Sequence, residues 1–132
     1  MKAATHLISS FILGVAVWAF WLRDSDYYWD ETLGSWQGPY SEAQVDGCVL
    51  TYALMVAVLS TRLHPVLVTV GMASGFWVAW NLQVATADGT GLFLVGSVLV
   101  GLALLVGGAI ASGSGYVARL LVQRLRSPDR RR

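Results

Sequence analysis

The stretch GLFLVGSVLVGLALLVGGAIA, residues 91–111, runs for 21 residues without a single charged side chain. An α-helix rises about 1.5 Å per residue and the hydrocarbon core of a bilayer is about 30 Å thick, so about 20 apolar residues cross it. Three other stretches meet the same standard: 3–22, which contains FILGVAVWAFW (residues 11–21), then 45–63 and 66–84. Together they take up most of a 132-residue chain that is 55% hydrophobic and only 13% charged. A soluble domain carries about 25% charged residues and, when this short, leaves much of its surface wet. The sequence therefore predicts an all-α membrane protein, a bundle of four transmembrane helices.

Two connections are short. Thr61-Arg62-Leu63-His64-Pro65 ends one apolar run and starts the next, since proline cannot continue a helix and disfavours helical backbone at the residue before it. Asp88-Gly89 punctuates the turn between the third and fourth runs. Short loops of this kind predict helices two, three and four as successive antiparallel neighbours. The connection 23–46 is long, acidic and aromatic, and is expected to form a structured loop on the outer side of the membrane.

The basic residues set the orientation. Lys2, Arg62, Arg119, Arg124, Arg126, Arg130, Arg131 and Arg132 fall on one side of a four-span topology, and only Arg23 falls on the other. Positively charged short segments stay in the cytoplasm. Both termini are thus expected in the cytoplasm of a plasma-membrane, multi-pass protein, with seven of the eight acidic residues outside. Trp18, Phe20 and Trp21 occupy the place where a cleaved leader would carry small residues, so the first segment is expected to stay as a span. The expected layout is one domain over 1–126 and a basic tail at 127–132. The segment 116–126 is either an interfacial amphipathic helix or the fourth helix continuing into the cytoplasm, with Arg119 and Arg124 beside Val117, Leu121 and Leu125. The basic tail acts as a topology determinant or is drawn to anionic lipid headgroups.

Small residues four apart mark faces on which helices pack in lipid. Gly71 and Gly75 form one such pair, and Ala103, Gly107, Ala111 and Gly115 form a row. They serve packing within the bundle or contact with another chain. Ionisable groups at mid-depth usually mark transport or catalysis, but His6, Asp46, Arg62, His64 and Asp88 all fall near predicted helix ends. No carboxylate sits at mid-depth, which argues against a proton-coupled antiporter. Asp46, Asn81, Gln83 and Asp88 are candidates for a polar cluster at the outer mouth, or are solvated interfacial residues. Two histidines without a local carboxylate make a poor metal set. The single cysteine, Cys48, cannot form an internal disulfide and reads as a packing residue. No metal and no cofactor is called for.

Trp18, Trp21, Trp77 and Trp80 suit an aromatic belt at headgroup depth. Tyr27, Tyr28, Trp29, Trp36 and Tyr40 lie in the outer loop, where they form a lid over the helices or anchors for a partner. The segment Trp36-Gln-Gly38-Pro39-Tyr40-Ser-Glu-Ala-Gln44-Val45 resembles a W-x-G-P-Y-x-x-x-Q-V pattern in small uncharacterised actinobacterial four-helix membrane proteins. That resemblance covers about ten residues and the hydropathy layout, and it implies no activity.

No phosphate-binding glycine loop, nucleophile elbow or zinc-protease motif occurs in the chain. The expectation is a non-enzymatic accessory or assembly subunit that binds a membrane partner or a second copy of itself through its helices and aromatic loop. A small homo-oligomeric transporter or channel is the alternative. A lipid-headgroup enzyme using Asp30, Glu31 or Asp46 is a third. Nothing points to nucleic acid.

Overall fold

A computed structural model describes residues 2–24, 27–87 and 93–125. These residues form α1 (Lys2–Trp21), β1 (Tyr28–Asp30), β2 (Ser35–Gln37), α2 (Glu42–Ser60), α3 (Pro65–Ala87) and α4 (Phe93–Leu125). All four helices are long and apolar enough to cross a membrane.

Local chemistry sets the helix ends where hydropathy alone does not. α2 begins at Glu42 rather than Val45 because Ser41 and Gln44 close a capping box. Gln44 N donates to the Ser41 hydroxyl at 3.3 Å, and Ser41 N donates to Gln44 Oε1 at 2.9 Å. At its far end the Thr61 hydroxyl donates to Val58 O at 2.7 Å. Pro65 is the first residue of α3, where its missing N–H leaves no bond unmade.

α4 runs unbroken through Ser112-Gly-Ser-Gly115. Ser112 and Ser114 return their hydroxyls to the carbonyls of Ala109 and Ala111, at 3.1 and 2.7 Å, and so stay inside the helix. Its 33 residues extend for about 50 Å at the usual rise. Residues 116–125 are all exposed. The segment beyond Gly115 is thus a continuation of α4 up to Leu125, and Arg126 lies outside the described residues.

The helices do not pair in chain order. α1 packs most extensively on α3, α2 on α4, and α3 on α4, while α2 and α3 touch only slightly despite the short turn between them. Contact runs in the same direction along α1 and α3: Gly71 faces Leu7 and Ser10, and Gly75 faces Phe11. The two helices are therefore parallel. A Cβ on Gly75 would overlap the Phe11 carbonyl, and one on Gly14 would overlap that of Met72. Gly71 is nearly as tight, with a Cβ there only 2.6 Å from Ser10 Cβ.

α2 and α4 form a second parallel pair. The Tyr52 hydroxyl donates to Leu104 O at 3.2 Å, and Gly115 abuts the Ala57 carbonyl. α3 and α4 run antiparallel, joined by Trp77 Nε1 to Ser97 O at 2.9 Å and by the Thr69 hydroxyl to Gly108 O at 3.3 Å. α3 touches all three other helices and is the most buried of the four. Its Val68, Met72 and Phe76 meet Val17 of α1 and Tyr52 and Val56 of α2 in the core. Tyr52 and Phe76 meet edge to face, with ring centroids 6.2 Å apart.

This packing predicts a sharp contrast between glycines. Gly75→Val should destabilise the bundle by about 1–3 kcal/mol, the usual range for overpacking. Gly107→Val, where an added Cβ meets nothing within 4 Å, should stay within about 0.5 kcal/mol of the parent, as at other open sites. Ser10→Ala keeps the small contact and removes a buried hydroxyl that has no partner among the described residues, so its stability should equal or exceed that of the parent. Thermal melting in a mild detergent measures all three.

Candidate functional site

The two strands form an antiparallel hairpin between α1 and α2, pairing Tyr28 with Gln37, Trp29 with Trp36 and Asp30 with Ser35. Its turn is built around one carboxylate. Asp30 Oδ1 accepts from Thr32 N at 2.8 Å and Leu33 N at 3.2 Å, and Gly34 supplies the φ of +60° that completes the turn. The Thr32 hydroxyl and the Thr32 and Leu33 amides hold the Asp30 carboxyl below its ordinary value of 3.8. Asp30 is thereby occupied as a turn acceptor. The turn holds Tyr27, Trp29 and Leu33 out from the bundle, at 69%, 51% and 68% exposure.

After Gly38 and Pro39 the chain returns to the helices at Tyr40, which is half-buried. The Tyr40 hydroxyl donates to Gln83 Oε1 at 3.3 Å, and Gln83 Nε2 donates to Arg23 O at 3.0 Å. Gln44 Nε2 donates to Trp21 O and to Asp24 O, both at 3.3 Å. Two glutamines and one tyrosine thus tie the end of α1, the start of α2 and the end of α3 into one pole. Burial pushes the Tyr40 phenol above its ordinary value of 10.0, so the hydroxyl remains a donor at neutral pH.

A cleft lies below Tyr40, between the upper halves of α2 and α4, with a volume of about 480 Å³. Phe76 and Trp80 of α3 form its back wall. Cys48 and Tyr52 line the α2 side, and Ala103 and Gly107 line the α4 side. Its surface is almost wholly apolar.

Gln83 joins Tyr40 and Arg23, while Asn81 turns its amide back to Trp77 O of its own helix at 2.7 Å. Asp46 is exposed on α2, and Asp88 lies outside the described residues. Of the candidate loop aromatics, Tyr27 and Trp29 are exposed and Tyr40 is docked, and Tyr28 and Trp36 are described through their backbone pairing alone. Gly71, Gly75 and Ala111 are buried within the chain, whereas Gly107 is exposed on the cleft. Among the described residues, no three His, Cys, Asp or Glu side chains come together as a metal site.

The sequence reading missed two features that carried a signal. Ser41-x-x-Gln44 is a capping-box pattern, and Ser10-x-x-x-Gly14 is a small-residue pair facing α3. The cleft carries no such signal, because it depends on which helices pair. No protein family, functionally described protein or solved structure matches this chain.

Two measurements follow from this geometry. The coupling between Tyr40→Phe and Gln83→Ala in a double-mutant cycle should be about 0.5–1.5 kcal/mol, the range for one net hydrogen bond. Additivity would contradict the tie. The Asp30 carboxyl is depressed, so its support of the turn is full above pH 3.8 and is lost as pH falls through its lower folded value. NMR shifts of the Thr32 and Leu33 amides should follow that titration, with a midpoint below 3.8.

Proposed function

We propose that the chain is a multi-pass plasma-membrane protein that serves as a non-enzymatic accessory or assembly subunit. Its termini face the cytoplasm, and its hairpin docks a membrane partner on the outer side. The observation that carries this reading is the hairpin, which stands clear of the helices between ends secured by Tyr40, Gln44 and Gln83 and leaves Tyr27, Trp29 and Leu33 exposed. Exposed Trp and Tyr side chains are favoured anchors at protein interfaces.

The orientation is supported by charge. Among the described residues, Lys2, Arg62, Arg119 and Arg124 lie toward the pole opposite the hairpin, and Arg23 is the one basic residue on the hairpin side. The lipid-facing reading of the helices is supported by their wide apolar surface, including Leu50, Leu54 and Val58 on α2 and Leu99, Leu102 and Val106 on α4, all more than half exposed.

A small homo-oligomeric transporter is the competing reading. The open faces at Gly107 and Gly113 of α4 favour it, since an added Cβ meets nothing at either position. Against it, the interior hydroxyls of Tyr52, Thr69, Ser74 and Ser112 are spent on backbone carbonyls, and the unpaired hydroxyls of Ser10 and Ser60 are sealed inside the bundle. Such groups do not build a polar path.

Gentle extraction followed by native mass spectrometry should yield a heteromeric mass. The double variant Tyr27→Ala, Leu33→Ala should lose the partner while melting within about 0.5 kcal/mol of the parent, as exposed substitutions do. A partner-free monomer from the parent chain contradicts the subunit reading, and a homo-oligomer transfers the argument to transport. A reporter fused to the carboxyl terminus should be active only in the cytoplasm.

A further inference from the structure

We infer that the cleft between α2 and α4 is a binding site for one acyl chain of a zwitterionic phospholipid. The inference rests on the bilayer placement proposed above and is independent of the docking role of the hairpin.

The cleft is closed on three sides. Phe76 and Trp80 of α3 form the back, the Tyr52–Leu104 hydrogen bond joins α2 to α4, and Tyr40 lies on the side of the hairpin. The remaining side opens between Val49 of α2 and Ala103 and Gly107 of α4, all of them exposed. In a four-span bundle that side faces lipid tails. A chain entering there gains protein contacts on three sides that it lacks among other lipids.

The lining selects the occupant. The two hydroxyls on its wall are committed, Tyr52 to Leu104 O and Tyr40 to Gln83 Oε1. The other polar side-chain atoms of the lining are the Trp80 indole N–H, which is hydrogen-bonded to the Tyr40 side chain, and the Cys48 thiol, a weak donor and acceptor. Water held in the cleft would lack the 2–4 partners it needs, and a polar ligand would be left unpaired. An apolar chain has no such cost, and about 480 Å³ lies within the volume range of small-molecule sites.

The hairpin end of the cleft adds the headgroup. Arg23 follows the lining residue Leu22, and Asp46 follows the lining residue Val45. Both charged residues are exposed. One position from the lining at this end, these opposite charges would complement a phosphate and an ammonium on the same lipid. A net-negative headgroup would instead meet the acidic majority of this pole, which includes Asp24, Asp30, Glu31 and Glu42.

Two glycines of α4 make a matched test. An added Cβ meets nothing within 4 Å at Gly107 or Gly113, but only Gly107 lines the cleft. The parent, Gly107→Trp and Gly113→Trp are reconstituted into nanodiscs of equal phosphatidylethanolamine and phosphatidylglycerol, then ejected for native mass spectrometry. The parent and Gly113→Trp should retain one phosphatidylethanolamine, and Gly107→Trp should retain it about tenfold less, which corresponds to about 1.4 kcal/mol. Loss of lipid from none of the three, no lipid on the parent, or selective retention of phosphatidylglycerol overturns the inference.

If Gly107→Trp melts below Gly113→Trp, the unaltered chain provides the second reading. Alkylation of Cys48 by N-ethylmaleimide in detergent should slow severalfold when phosphatidylethanolamine is added, and an unchanged rate overturns the site. Failure of the chain to enter nanodiscs at all would instead contradict the bilayer placement.

Discussion

The fold depends on how closely the backbones of α1 and α3 approach each other. All four helices are apolar around most of their circumference, so hydrophobicity cannot tell one neighbour from another. In the bilayer proposed for this chain the hydrophobic drive between helices vanishes, and dispersion contact with interhelical hydrogen bonds decides the pairing. Gly14, Gly71 and Gly75 remove the side chains that would hold α1 and α3 apart, and Ser10 supplies a small surface between them. With α1 fixed on one face, α3 can still meet α4 on another. The second parallel pair, α2 on α4, repeats the device at Gly115 and Ala57.

The cleft is a consequence of the same rule. α2 and α4 approach closely at Gly115 and are bridged at Tyr52, but nearer the hairpin Cys48 and Val49 face Ala103 and Gly107 across open space. Polar side chains then act where packing does not. Gln44 and Gln83 each reach the backbone at the end of α1, and Tyr40 closes the pole from the loop side. These three residues secure the chain on either side of the hairpin, while β1 and β2 pack only on each other.

Much of the layout was legible in the sequence. Uninterrupted apolar runs gave the four helices, and Pro65 gave the turn before α3, because both signals act through the chain's own backbone. The pairing of helices was not legible, since turn length says which helices are adjacent in sequence and small residues say only that some helix comes close. Gly71-x-x-x-Gly75 marked a contact face, but its partner surface, Ser10 and Gly14, was evident only once α1 and α3 were seen side by side. Gly107 shows the converse: it belongs to a row of small residues, yet it faces open space because the neighbouring Gly108 takes the contact with Thr69 and Tyr52. At the hairpin pole, Tyr40 and Gln83 were visible as separate candidates. Their hydrogen bond spans 43 positions, a separation that no local pattern encodes.

The most direct test of this account is a through-space measurement across the α1–α3 contact. Solid-state NMR of the protein in lipid bilayers, with ¹³C at the phenylalanine carbonyls and the glycine Cα atoms, reports whether Phe11 and Gly75 are neighbours. The account predicts direct magnetisation transfer between the Phe11 carbonyl and the Gly75 Cα. Absence of that transfer in a folded sample would mean that α1 and α3 are not paired at their glycines, and the arrangement of all four helices would have to be redrawn.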